Sequence, residues 1–171
     1  MSALKFRILL DTANDDEIFR DVLIDESNSF ESFYKIILQS FNFSGQEMAS
    51  FYVSNNQWDK GHEISLMDLS NEEDSQINCS TMNNTIIKDF ISQEDQKFIF
   101  IYDFLNMWIF LIELIGKEDY NLTSPKLILE VGNSPNENEN KNLNTLMFEN
   151  QFPEEDSEID YNNLDEDYFD Y

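Results

Sequence analysis

Residues 98–115 form a nearly unbroken apolar run. The run has about the length of a membrane span. It also carries Asp103, Asn106 and Glu113, which would be costly in lipid. The reading that accommodates all three is a pair of β-strands, residues 98–103 and 108–115, joined by a short turn. Both are apolar enough to be central strands covered on both faces. A chain holding such a pair needs further strands beside it and a helix against it.

Those elements can be read from the periodicity. Leu4, Phe6, Ile8 and Leu10 alternate with Lys5, Arg7 and Leu9, which predicts a strand with one buried face. After a polar connector at residues 11–16, residues 17–24 predict a second strand with Ile18, Val22 and Ile24 on one side. Phe30, Phe33, Tyr34, Ile37, Leu38 and Phe41 fall on one stripe of a helix. Asn28 and Glu31 have the spacing of a capping-box variant at its start. Residues 48–53 predict a strand, residues 54–57 a turn, and residues 85–91 a short helix with Thr85 as N-cap. Residues 62–84 give no clear pattern. A last strand is expected at residues 126–131, closed by Gly132. The expected fold is α+β: a mixed or antiparallel sheet of about five or six strands packed on one main helix, residues 1–132, followed by an acidic C-terminal tail, residues 133–171.

Charge narrows the function classes. There are 35 Asp and Glu against 10 Lys and Arg, a formal net charge of −25. A phosphate backbone needs clustered Lys and Arg to displace its counterions, and no such cluster exists. Direct binding to nucleic acid or to an anionic membrane is therefore not expected. A basic protein partner, or a surface that mimics nucleic acid, fits the charge. A single cysteine, Cys79, excludes an intramolecular disulfide and a cysteine-rich zinc site. The N-terminal residues lack a signal-peptide pattern. A reducing cytoplasm is the expected compartment.

Candidate chemistry is sparse. Asp103, between apolar neighbours, is either a carboxylate with a raised pKa available for acid–base work or a turn residue accepting backbone N–H groups. The second reading is preferred, because no histidine lies near it in sequence. Trp108 could stack on a ligand, but its apolar flanks favour the core. His62 is the one histidine and has no ligand-like company. Cys79 beside acidic residues is expected to be an inert thiol. The acidic triplets at residues 15–17, 72–74 and 165–167 do not follow a calcium-loop spacing. No glycine-rich phosphate loop and no nucleophile elbow occurs. No cofactor and no metal is expected.

The tail is the most unusual segment. Residues 133–171 hold 12 acidic residues and one lysine, leaving −14 for residues 1–132. Apolar side chains are interleaved with the acids, among them Phe148, Phe152, Tyr161, Leu164, Tyr168 and Phe169. Two readings stay open: a segment that docks on a partner or on its own domain through these residues, or an inert disordered tail.

Four stretches carry a resemblance: Leu4-Lys5-Phe6-Arg7-Ile8, Leu38-Gln39-Ser40-Phe41, Ser50-Phe51-Tyr52-Val53, and above all Tyr102-Asp103-Phe104 followed by Trp108. With the order of elements, they make residues 3–132 resemble the plasmid pRiA4b open-reading-frame-three-like family. The family pattern at the last motif is Tyr-Asp-Phe-Gly-Asp-x-Trp-x-His. Here Leu105, Asn106 and Phe110 stand at the Gly, second Asp and His positions. The resemblance implies a compact α+β fold with a mixed sheet and a bacterial association with plasmids and mobile elements. It implies no established activity. With the polar motif positions lost, the expectation is a non-enzymatic protein-interaction module. The alternatives are an acidic nucleic-acid mimic that binds a basic DNA-associated protein, and a degenerate enzyme using Asp103.

Overall fold

Alternation along β1 (Ala3–Leu10) turns Leu4, Phe6, Ile8 and Leu10 to one side, and all four are buried. In the computed structural model, which describes residues 2–69 and 80–139, this strand lies near the middle of a mixed sheet. The other strands are β2 (Phe19–Asp25), β3 (Ala49–Ser54), β4 (Lys60–Ser65), β5 (Ser80–Thr81), β6 (Lys97–Tyr102), β7 (Trp108–Glu118) and β8 (Lys126–Val131). Their order across the sheet is β5-β4-β3-β6-β7-β1-β2-β8. Every neighbouring pair is antiparallel except β4 with β5.

The α+β class with one main helix is as expected, but the described residues hold eight strands rather than five or six. The two that sequence reasoning missed are β4 and β5. In β4 one apolar side chain, Ile64, is buried, and Lys60, Gly61, His62 and Glu63 are exposed. No period-2 apolar signal exists to read, and the strand is held by its backbone pairing with β3. Strand β5 has two residues, too few for any pattern.

Helix α1 (Phe30–Phe41) covers one face of the sheet. Phe30, Phe33, Ile37 and Phe41 are fully buried on it. Phe33 stacks on Phe51 of β3 with ring centroids 5.4 Å apart and lies 4.7 Å from Phe6 of β1. Phe30 meets Phe98 edge-on at 5.4 Å, and Phe41 meets Phe110 at 4.8 Å. Each such ring contributes roughly 1.5–3 kcal/mol by burial, and offset or edge-on pairs add to it. Many aromatic side chains of the described residues are therefore gathered in one seam between helix and sheet.

The helix cap differs from the capping box expected of Asn28 and Glu31. Ser29 is the N-cap, in extended conformation, and its Oγ accepts the Ser32 N–H. Asn28 is engaged in the preceding turn: its N–H donates to Asp25 O and its carbonyl accepts from Ile87 N–H. The helix ends at Asn42 in the left-handed region, φ 57°. The short helix expected at residues 85–91 is a 3-10 turn over Ile87–Phe90 with no side-chain cap. The Thr85 hydroxyl donates back to Thr81 O instead.

The hairpin is present, with one difference. All six residues of β6 are buried, as expected of a central strand. In β7 burial alternates and the strand runs on to Glu118. Its second face is only partly covered, so its apolar residues there, Ile109 and Leu111, are half-buried. Among the described residues, no helix is long and apolar enough to cross a membrane.

Candidate functional site

The motif residues sit at the turn between β6 and β7. Tyr102 ends β6 and pairs across the sheet with Trp108, which starts β7. Between them Asp103 and Met107 both have positive φ, 60° and 53°. Asp tolerates this backbone better than most residues because its short side chain bonds locally. Asp103 Oδ1 accepts the N–H groups of Leu105 (3.1 Å) and Asn106 (3.2 Å), and Oδ2 accepts Asn106 Nδ2 at 2.6 Å. Its own N–H donates to Met48 O at 2.8 Å, and its carbonyl accepts from Met107 N–H. Asp103 is buried, and its carboxylate is directed into the turn. This is the turn role preferred from sequence.

Tyr102 is fully buried and works at its hydroxyl. The oxygen accepts the Gly45 N–H at 3.0 Å and donates to Glu137 Oε2 at 3.2 Å, with Ser44 Oγ 3.4 Å away. Ser44 adds its N–H to Glu137 Oε1 (2.9 Å) and its hydroxyl to Oε2 (3.0 Å). Trp108 donates Nε1–H to the Glu137 backbone carbonyl at 2.9 Å. Phe43 fills the space between, 5.6 Å from Tyr102 and 5.2 Å from Trp108 by ring centroid. Ser134 Oγ donates to Phe41 O at the helix end. A carboxylate cradle thus exists, and the chain's own Glu137 occupies it. Trp108 is core, as expected, and additionally holds this later segment.

The remaining motif side chain faces outward. Phe104 is 42% exposed, and its neighbours Leu105 and Met107 are 80% and 36% exposed. The polar atoms of the motif are turned to the protein itself and the apolar ones to solvent.

The other candidates are dispersed. His62 is exposed on β4, with Nε2 2.6 Å from Ser80 Oγ and its ring stacked on Phe90 at 5.5 Å. Residues 15–17 lie in the exposed β1–β2 connection. Among the described residues, no group of three or more His, Cys, Asp or Glu side chains is gathered to hold a metal ion. Cys79, the acidic triplets at 72–74 and 165–167, and the tail residues Phe148, Phe152, Tyr161, Leu164, Tyr168 and Phe169 lie outside the described residues.

Sequence reasoning missed two important groups. One is Glu137, hidden in a polar low-complexity stretch. The other is Arg20, fully buried on the core side of β2 opposite Ile8. Its Nε donates to Ser40 O (2.9 Å), and one terminal nitrogen donates to Phe19 O (2.9 Å) and Val131 O (2.8 Å). The other terminal nitrogen lies 3.2 Å from Glu130 Oε1, an ion pair without hydrogen-bond geometry. Its guanidinium lies over the Phe41 ring at 4.8 Å. Burial pushes the Arg20 pKa below its usual value, and Glu130 opposes that shift. The signal was present: Arg20 has the parity of Val22 and Ile24, which predicts the buried face.

Comparison with known proteins bears on the fold and the family. The crystal structure of a protein of unknown function from Methanosarcina mazei Go1 is similar, with a TM-score of 0.68 at 12% identity, covering 88% of this chain and 83% of that one. At that identity the likeness shows the fold alone. No curated protein matches the chain. The model of the family described as plasmid pRiA4b ORF-3-like protein matches residues 2–164, which extends past the resemblance at residues 3–132 into the tail. The chain belongs to the plasmid pRiA4b ORF-3-like family.

Proposed function

We propose that this protein is a non-enzymatic protein-interaction module, with the apolar tip of the β6–β7 hairpin as its contact and a protein with a basic surface as its partner. The observation that carries this reading is the division of labour at the motif. Asp103, Tyr102 and Trp108 use their polar atoms on Leu105, Asn106, Gly45 and Glu137. Phe104, Leu105 and Met107 are left to solvent at the same turn. Neighbouring exposed apolar side chains on a rigid turn are what interfaces are built from. The net charge of −25 supports a basic partner, because complementary charge speeds encounter and excludes wrong partners.

The test is a titration of a purified partner, captured with the full chain, against the wild type, Leu105→Asp and Asp103→Asn. Loss of affinity in Leu105→Asp with an unchanged unfolding midpoint supports the reading. Equal affinity in wild type and Leu105→Asp sinks it. The charge also favours a second reading, a nucleic-acid mimic. In that case affinity would fall steeply with salt and Leu105→Asp would leave it intact.

A further inference from the structure

The sheet contains an opening at the other end of the same hairpin. The pairing of β6 with β7 ends at Lys97 opposite Glu113. The pairing of β1 with β7 continues to Ala3 opposite Glu118. Over residues 115–118, β7 therefore has a strand on one side only. The last contact on the β6 side is the Leu114 N–H to Gln96 O bond at 2.9 Å. The chain leading into β6 has no strand structure over residues 91–96. Between this segment and β7 lies a half-open groove of about 800 Å³. Leu4, Ile91, Leu114 and Ile115 supply its apolar lining; Glu94, Asp95, Glu113 and Lys117 supply its charges.

We propose that this groove seats an extended lysine- or arginine-bearing segment of a partner protein, which adds a short strand beside residues 115–118 of β7. An unpaired strand edge is a ready template for another chain, and strand addition is a common mode of peptide recognition. An extended segment places alternate side chains on opposite faces, so one set meets the apolar lining and the other stays at the charged rim.

The charges select the occupant. Lys97 is already shared between Asp95 (3.6 Å) and Glu113 (3.4 Å), and Lys117 is paired with Glu26 at 3.2 Å. Glu94 has no cation partner among the described residues. An incoming Lys or Arg finds a carboxylate, whereas Lys117, the cation in the groove lining, is already paired. The same argument disfavours the chain's own acidic tail and a second copy of a chain with net charge −25. The proposal stands apart from the contact at the hairpin tip.

The experiment uses the ¹⁵N-labelled full chain and an alternating Lys-Val peptide, with an alternating Glu-Val peptide as control. The Lys-Val peptide is expected to shift amide resonances of residues 91–95 and 115–117 and leave those of residues 104–107 in place. Glu94→Lys, at an exposed position, is expected to weaken it about tenfold, and Ile115→Lys to weaken it comparably. Equal binding of both peptides, shifts scattered over the acidic surface, or unchanged affinity in both variants would overturn the proposal. Concentration-dependent shifts at the groove without peptide would also overturn it, in favour of a second copy. If the groove fails while a partner still depends on Leu105, the tip reading survives.

Discussion

The indole N–H of Trp108 donates to the backbone carbonyl of Glu137 at 2.9 Å, across 29 positions of sequence. That bond and the Tyr102–Glu137 hydrogen bond fix residues after β8 to the turn of the central hairpin. Trp108→Phe removes the donor and part of the buried indole, so a loss of about 2–4 kcal/mol is expected. Tyr102→Phe leaves the Gly45 N–H and a Glu137 oxygen without this partner and should cost about 1–3 kcal/mol. A double-mutant cycle of Tyr102→Phe with Glu137→Gln should return a non-zero coupling in urea unfolding. Truncation after residue 139 should preserve the environment of Trp108, and truncation after residue 132 should expose it. Tryptophan emission in a Trp58→Phe background reads this directly, since the chain has two tryptophans. Identical emission in both truncations would contradict the anchoring role.

Asp103 combines a positive φ with a carboxylate that accepts from Leu105, Asn106 and the Asn106 amide. Asp103→Ala removes these acceptors and places alanine in the left-handed region, at an expected cost of about 1–3 kcal/mol. Asp103→Asn keeps an acceptor and the local tolerance and should cost less than half of that. The family pattern has Asp where this chain has Asn106. Asn106→Asp would replace a donor, 2.6 Å from the Asp103 carboxylate, with a second carboxylate. Two carboxylates at that distance cannot both ionise cheaply, so one of the pair acquires a raised pKa. This variant should be destabilised at neutral pH and recover as the pH falls through the carboxylate range and one proton is shared. A pH series of unfolding midpoints that moves in parallel for this variant and wild type would refute the argument.

The parts of the fold that sequence revealed are those where burial imposes a period. β1 and α1 each commit a full apolar set to one face, and Phe6, Phe33 and Phe41 carry it. The turn role of Asp103 and the core position of Trp108 followed from local chemistry and apolar flanks. β4 left no trace, because one buried side chain, Ile64, makes no pattern. Glu137 left none either: its role is set by Tyr102 and Trp108, far away in sequence, and its own neighbourhood is polar and repetitive. Arg20 was legible by parity but overridden by charge, since an arginine is expected outside unless its donors are all placed.

Arg20 joins three elements through carbonyl groups: Ser40 at the end of α1, its own strand at Phe19, and β8 at Val131. Arg20→Met removes the buried charge but leaves those carbonyls without the donor, so about 1–3 kcal/mol should be lost. Arg20→Lys should lose more, because a compact ammonium cannot reproduce the planar fork and stays buried with poorer pairing. The damage should be local. Amide hydrogen exchange in β8 and in the last turn of α1 is expected to accelerate in both variants ahead of β6. Uniform acceleration over the whole sheet would mean that Arg20 supports the core generally rather than docking β8.

Asp25 gives the clearest acid-side prediction. Its carboxylate accepts the Ser27 hydroxyl and, at 2.8 Å, the Ser27 N–H; these bonds pull its pKa below the usual range, and burial opposes them less strongly. A carboxylate whose folded pKa is depressed contributes stability that is fully present above its unfolded pKa, about 3.9. That contribution is lost as the pH falls through the lower folded value. The other carboxylates complicate the total, because protonating a chain of net charge −25 also relieves self-repulsion. The comparison that isolates Asp25 is therefore between variants. Asp25→Asn keeps an acceptor for the Ser27 N–H and cannot titrate. It should be less stable than wild type at neutral pH, and the gap should close between about pH 5 and pH 2. Urea midpoints of both proteins across that range check the prediction, and a gap independent of pH would show that the Ser27 bonds do not depend on the charge of Asp25.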